Sequence, residues 1–284
     1  MIFVLILSLK ANDNLEFLKF INAVISGHQE SVLALATSKS GIDVNKGLAL
    51  KGSKEGMSAI MFAARDGHDV IVKDLIQLGA KVNQKDKLNR SALMFASMNG
   101  NDSVKILLKN KAKANEALKY KGALMFAIEK NKYEVAKLLI KHKAGAFIRD
   151  YRLWNSLFYA VRYSDVKMFK LILKEIEFDK NPKTGKDDNL FLIASLKKGN
   201  VEILKEINKL KIIDVNAKNI IGETALIVAV KNNHIKNIKY LLSIGANPSI
   251  KDINGLNAYH FAETRGYKNA LIELNKYNIT ISSK

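Results

Sequence analysis

Apolar residues along the chain gather in short clusters separated by polar turns, and the clusters recur. One phrase carries the period: a small or polar residue, a small residue, a run of apolar residues, then Ala. It reads SAIMFA at 58–63, SALMFA at 91–96, GALMFA at 122–127 and NSLFYA at 155–160. It continues as NLFLIA at 189–194, TALIVA at 224–229 and NAYHFA at 257–262. The closing alanines are Ala63, Ala96, Ala127, Ala160, Ala194, Ala229 and Ala262, spaced 33, 31, 33, 34, 35 and 33 residues apart. A degenerate copy at 20–36 aligns Ala23 with them, 40 residues before Ala63. Self-similarity at such a period marks a stacked-repeat architecture.

Each unit reads physically as a helical hairpin. Ser58, Ser91, Asn155, Asn189, Thr224 and Asn257 stand where an N-cap would accept a bond from an unsatisfied helix N–H. Apolar residues at helical spacing predict a short first helix behind each. The small Ala predicts close helix approach. Gly67, Gly100, Gly199 and Gly266 end that helix, since glycine tolerates positive φ. A second helix follows, its buried face marked by Leu75–Ile76, Leu107–Leu108, Leu139–Ile140, Ile172–Leu173 and Leu241–Leu242. Val82-Asn83, Val215-Asn216 and Val44-Asn45 open extended stretches that predict projecting, hairpin-like loops. No single hairpin buries its own apolar face, so neighbours must stack into a continuous core.

These phrases resemble the ankyrin repeat: the period, the Ala, the Gly-His turn at 67–68, the Leu pair and the Gly-Ala…Val-Asn ending at 79–83 match. The resemblance covers roughly 15–278. It implies an all-α solenoid of about eight stacked helix-turn-helix units with projecting β-hairpin-like loops. The expected units lie near 15–45, 53–85, 86–116, 117–149, 150–183, 184–218, 219–251 and 252–284, in a single domain over 12–284. Two departures stand out. Ala59, Ala92, Ala123, Ser156, Leu190, Ala225 and Ala258 occupy the family's Pro slot, and its His is kept only at His260. Fewer of the inter-repeat hydrogen bonds that phrase supplies are expected. Gly122 at a cap slot should weaken one turn, and the stack should be least regular near 174–190.

Composition then narrows function. Cysteine is absent, which excludes disulfides, thiolate metal sites and Cys nucleophiles. His28, His68, His142, His234 and His260 form no HExxH pattern and are expected as turn-capping or structural residues. The stretch 181–186 lacks the first Gly of a phosphate loop, and no nucleotide fingerprint or nucleophile elbow appears. Asp187 and Asp188 read as solvated loop charges. The expectation is a non-catalytic protein without cofactor or metal.

The formal net charge is +19, with six Arg among 46 basic residues. Lys is dispersed along the chain. Genome base composition accounts for such a pattern. Attraction to nucleic acid, anionic lipid or an acidic protein is the functional counterpart. Ile2–Leu9 is apolar and far too short to span a bilayer. Its length fits the core of an export signal over 1–11, although no Lys or Arg precedes it and Leu9 is a poor residue near the proposed cleavage. The alternative is an apolar element packed on the first repeat. Export would place the chain in a bacterial envelope or outside the cell, with the cytoplasm as the alternative. No segment reads as transmembrane, and terminal repeats that shield the core favour a monomer.

In a solenoid, function lies on residues the repeat does not need. The resemblance points to a concave surface made of the slot before each cap, the slots after each Ala, and the loop tips. Those positions give Lys87, Arg90, Met98, Lys119, Lys121, Lys130, Tyr151, Arg152, Trp154, Arg162 and Tyr163 as candidate partner-binding residues. Trp154 is the only Trp, and Trp, Tyr and Arg are enriched at interface hot spots. An acidic protein is the expected partner, with nucleic acid or an anionic surface as the alternative.

Overall fold

The helical hairpins predicted by the apolar clusters are all present in the computed structural model. It describes residues 15–38, 41–49, 52, 54–100, 102–115, 121–145, 148–150, 153–175, 189–197, 200–211 and 213–282, with side chains described to 277. The candidate signal over 1–11 and the core of the stretch expected to be irregular lie outside these residues. Two compact units divide the chain, Met1–Ile148 and Arg149–Lys284.

The first unit holds four helix pairs: α1 (Leu15–Ser26) with α2 (Gln29–Ala36), α3 (Ala59–Asp66) with α4 (Asp69–Gln77), α5 (Ala92–Asn99) with α6 (Ser103–Lys109), and α7 (Ala123–Glu129) with α8 (Tyr133–Lys141). The second holds four more: α9 (Ser156–Tyr163) with α10 (Val166–Glu175), α11 (Leu190–Ser195) with α12 (Val201–Lys209), α13 (Ala225–Lys231) with α14 (Ile235–Ser243), and α15 (Ala258–Thr264) with α16 (Lys268–Ser282). Within each unit, first helices pack on neighbouring first helices and on their own second helices. First helices are therefore surrounded. In α3 every residue from Ala59 to Ala64 is buried, and in α13 every residue from Ala225 to Val230. Second helices bury one face only, as Ile71, Val72 and Leu75 do in α4. Phe20, Phe62, Phe158 and Phe169 are fully buried, each contributing roughly 1.5–3 kcal/mol of burial.

The repeated Gly-to-second-helix turn also forms. Gly67 and Gly100 end α3 and α5 in the left-handed region, at φ 81° and 78°. Where Gly is missing, Asn131 and Asn233 take the same conformation at φ 52°. Asn is the residue other than Gly that most readily does so.

N-capping departs from expectation in half of the chain. Asn155, Asn189, Thr224 and Asn257 accept hydrogen bonds from helix N–H groups as predicted. Ser58 and Ser91 hold the extended cap conformation, but their side chains accept no cap bond. The Ser58 hydroxyl is buried without a hydrogen-bond partner. Gly122 does not prevent α7 from forming, with Ala123 to Met125 buried behind it.

Stacking is held by a ladder that the sequence reading did not identify. Asn45 donates to the carbonyl of Gly79 at 3.1 Å and accepts from the Lys81 N–H at 2.7 Å. Asn83 repeats this with Lys111 (3.0 Å) and Lys113 (2.9 Å), and Asn216 with Gly245 (3.2 Å) and Asn247 (2.8 Å). Each amide thus fixes the spacing to the next repeat with two bonds. The histidines play a related part. His28, His68 and His234 occupy the residue before a second helix, but their rings make no cap bond there. Instead His68 Nε2 lies 3.0 Å from the carbonyl of Ile25, and His234 Nδ1 3.0 Å from that of Ser195. Asn200 serves the same slot, donating to Val161 at 3.1 Å. These side-chain bridges join neighbouring repeats at positions outside the recurring phrase.

Candidate partner-binding surface

The loops preceding the first helices share one turn, built on an acidic or amide residue four positions before the cap-preceding slot. Asp86 Oδ1 accepts from the N–H groups of Leu88 (2.9 Å) and Arg90 (2.7 Å), while its own N–H donates to the Arg90 carbonyl at 3.0 Å. Asn219 does the same with Ile221 (3.2 Å) and Glu223 (2.8 Å), and Asp252 with Asn254 (2.8 Å) and Leu256 (3.0 Å). Asp150 accepts from the Trp154 N–H at 2.9 Å. Such side-chain bonds to the backbone two and four residues on favour a turn over continued strand. One bridge, Lys85 with Ser91, marks the hairpin character of the first of these loops. The signal was present in the sequence as Asp86, Asp150, Asn219 and Asp252.

The turn sets the direction of the slot that follows. That slot is a shoulder packed on the first helix, and three of its occupants are buried: Met57, Trp154 and Glu223. Trp154 is 5% exposed. Its ring stands edge-on to Tyr159 at 6.3 Å and tilts against Phe158 at 6.1 Å. The Tyr159 hydroxyl in turn donates to Asp150 Oδ2 at 2.9 Å. Trp154 is thus core in the second unit and not an exposed anchor. Its ring rests against the Phe158-Tyr159 pair.

The same turn explains what became of the basic slots. Arg90 is paired with the buried carboxylate of Asp86 at 2.7 Å and lies over the Phe95 ring at 4.7 Å. Lys121 pairs with Glu129 at 2.6 Å and faces Phe126 at 5.5 Å. In the second unit the polarity is reversed at equivalent slots: Glu223 pairs with Lys231 at 2.6 Å, and Lys231 faces Phe261 at 5.0 Å. The slot before the cap and the slot after the Ala therefore meet within one repeat. Partly exposed pairs of this kind contribute about 0–1 kcal/mol. Their main effect is to fix side chains whose charge is already balanced.

The remaining candidates divide by unit. In the first, Lys87 and Lys130 are exposed and Met98 is half-buried. The N–H of Lys87 donates to the carbonyl of Glu55 at 3.1 Å, which ties neighbouring loop tips together. In the second, Arg162 and Tyr163 are half-buried, with Tyr163 against Tyr159 at 5.4 Å and Arg162 over Tyr163 at 5.8 Å. Lys119, Tyr151 and Arg152 lie outside the described residues. Nearby, Lys197 donates to the Ser164 carbonyl, and its ammonium is held below the usual lysine range by burial.

Among the described residues, no cluster of three or more His, Cys, Asp or Glu side chains could hold a metal ion. Nor is any described helix long and apolar enough to cross a membrane.

Comparison with known proteins agrees with this geometry. A family model described as ankyrin repeats matches three times, over residues 20–117, 93–184 and 190–284. The human transient receptor potential cation channel subfamily A member 1 is 31% identical over 88 residues, which is 31% of this chain and 8% of that protein. The chain therefore matches only a small part of that relative's length. Repeat phrase, helical pairs and family model coincide over nearly the whole chain, which belongs to the ankyrin-repeat family.

Proposed function

We propose that the chain is a non-catalytic scaffold that binds an acidic protein through the loop tips and first-helix shoulders of its first unit. Ankyrin repeats generally mediate protein–protein interaction, and their families are typically non-catalytic. The observation that carries the reading here is the pairing of Arg90 with Asp86 and of Lys121 with Glu129, which leaves the exposed Lys87 and Lys130 beside them. Charges at the edge of an interface of this kind steer association more than they strengthen it. The half-buried Met98 adds an adaptable apolar side chain on α5 of the same unit. The proposal includes export directed by residues 1–11, read out as a mature N-terminus near Asn12.

The test is charge reversal. Lys87→Glu with Lys130→Glu is expected to slow association with the partner protein recovered from the native cell, by about tenfold at low salt, and to leave thermal stability unchanged. Retention of nucleic acid alone, lost as salt rises, would sink the reading in favour of phosphate binding.

A further inference from the structure

The neighbouring tips at 219–223 and 252–256 display three exposed isoleucines, where the tip at 86–90 displays Leu88 beside Lys87. Ile220 is 67% exposed, Ile221 43% and Ile253 68%. They sit on neighbouring tips that are joined directly, the Ile253 N–H donating to the Ile221 carbonyl at 3.1 Å. A Cβ added at Gly222 would stand 2.8 Å from the Ile253 nitrogen, so the two turns are in contact. Both turns are pinned by the Asn219 and Asp252 bonds described above. Three isoleucines are thus displayed outward on a preorganised backbone that does not require them for packing.

The charges around these tips are sorted by sign. The carboxylates of the two turns are occupied inward: Asp252 by backbone N–H groups, Glu223 by Lys231 at 2.6 Å and by Asn219 at 3.2 Å. The cations face outward. Lys218 is exposed and reaches across to the Lys251 carbonyl at 3.0 Å, and Lys251 is exposed as well.

We infer that the paired tips at 219–223 and 252–256 dock on an anionic lipid surface. The isoleucines enter the interfacial layer, and Lys218 and Lys251 meet the headgroups. Apolar anchors of protein interfaces fill or offer shaped pockets. Here the apolar groups protrude from two convex turns, a form that a fluid bilayer accepts without a matching cavity. Apolar area and adjacent lysines are the two ingredients of reversible attachment to an anionic membrane surface. The +19 net charge of the chain acts in the same direction.

Sedimentation of the full chain with phosphatidylcholine vesicles, with and without added phosphatidylserine, tests this at physiological salt. The chain is expected to partition onto the anionic vesicles. Ile220→Ser, Ile221→Ser and Ile253→Ser together should lower the partition coefficient by about tenfold or more. Lys218→Gln and Lys251→Gln should each lower it about fivefold. Unchanged melting of the variants establishes that they are folded. In the otherwise intact chain, Ile253→Trp should give emission quenched by lipids brominated near the headgroup. Absence of binding by the native chain, full binding by the triple isoleucine variant, or no quenching at position 253 would each overturn the inference. So would binding in which the tips engage only a protein carried on the membrane, seen as loss of partition onto pure lipid.

Discussion

The first helices of the two units begin differently although they share one phrase. In the second unit Asn155, Asn189, Thr224 and Asn257 each satisfy a helix N–H with a side-chain oxygen. In the first unit Ser58, Ser91 and Gly122 satisfy none with a side chain. The helices form in both. Packing of a surrounded helix, with six of the eight residues of α3 and of α5 buried, therefore decides helix formation, and the cap adds to it. The tips differ as well. Lys87, Leu88 and Arg90 mark the tip at 86–90 in the first unit, where Ile220, Ile221 and Ile253 mark the tips at 219–223 and 252–256 in the second. One frame thus carries two surface chemistries, because the loop backbone is fixed by Asp86, Asn219 or Asp252 and leaves the tip residues unconstrained.

The strongest way to break this comparison is at Trp154. If it is core, Trp154→Ala costs about 3–5 kcal/mol of stability, measured by urea denaturation. A near-neutral result would return Trp154 to the exposed surface. Next come the ladder asparagines. Asn83→Ala and Asn216→Ala each remove two bonds between neighbouring repeats and are expected to cost about 1–3 kcal/mol, in both units alike. A loss confined to one unit would show that the ladder is not a common frame.

The caps should separate the units by a smaller amount. Asn257→Ala is expected to lower stability by about 1 kcal/mol. Ser58→Ala should be neutral or slightly stabilising, because its buried hydroxyl has no partner to lose. Equal costs at both positions would contradict the contrast. Smaller still is Leu153, held at φ 63° where Asn89, Gly222 and Gly255 stand in the equivalent turns. Leu153→Gly relieves a left-handed side-chain clash and should raise stability by about 0.5–1 kcal/mol after the added flexibility of glycine is set against it, read as a higher melting midpoint.

Much of the frame was legible in the sequence. The spacing of the alanines gave the repeat, and the phrase itself marked every first helix. The loop ladder was not legible from any one copy. Asn83 looks like an ordinary turn residue until the next repeat places a carbonyl and an N–H against it. The site was read less well, for a related reason. Slot position along the chain identified which residues stand near the loop tips, but not which way their side chains turn. Arg90 turned toward Asp86 and Lys121 toward Glu129, because a carboxylate lies four or eight residues away in the chain and within reach in space. Trp154 turned inward, as Met57 and Glu223 do in the same slot, and rests against Phe158 and Tyr159.

On the proposed function, the first unit's loop tips and first-helix shoulders bind a protein, and the second unit's aromatic cluster is structural. Hydrogen exchange of the chain, alone and in complex with the protein that co-purifies from the native cell, tests it most directly. Slowed exchange in the backbone amides of 87–90 and 130–132 on complex formation, with those of 153–160 unchanged, is the expected result. Protection centred on 153–160, with none at 87–90, would contradict it.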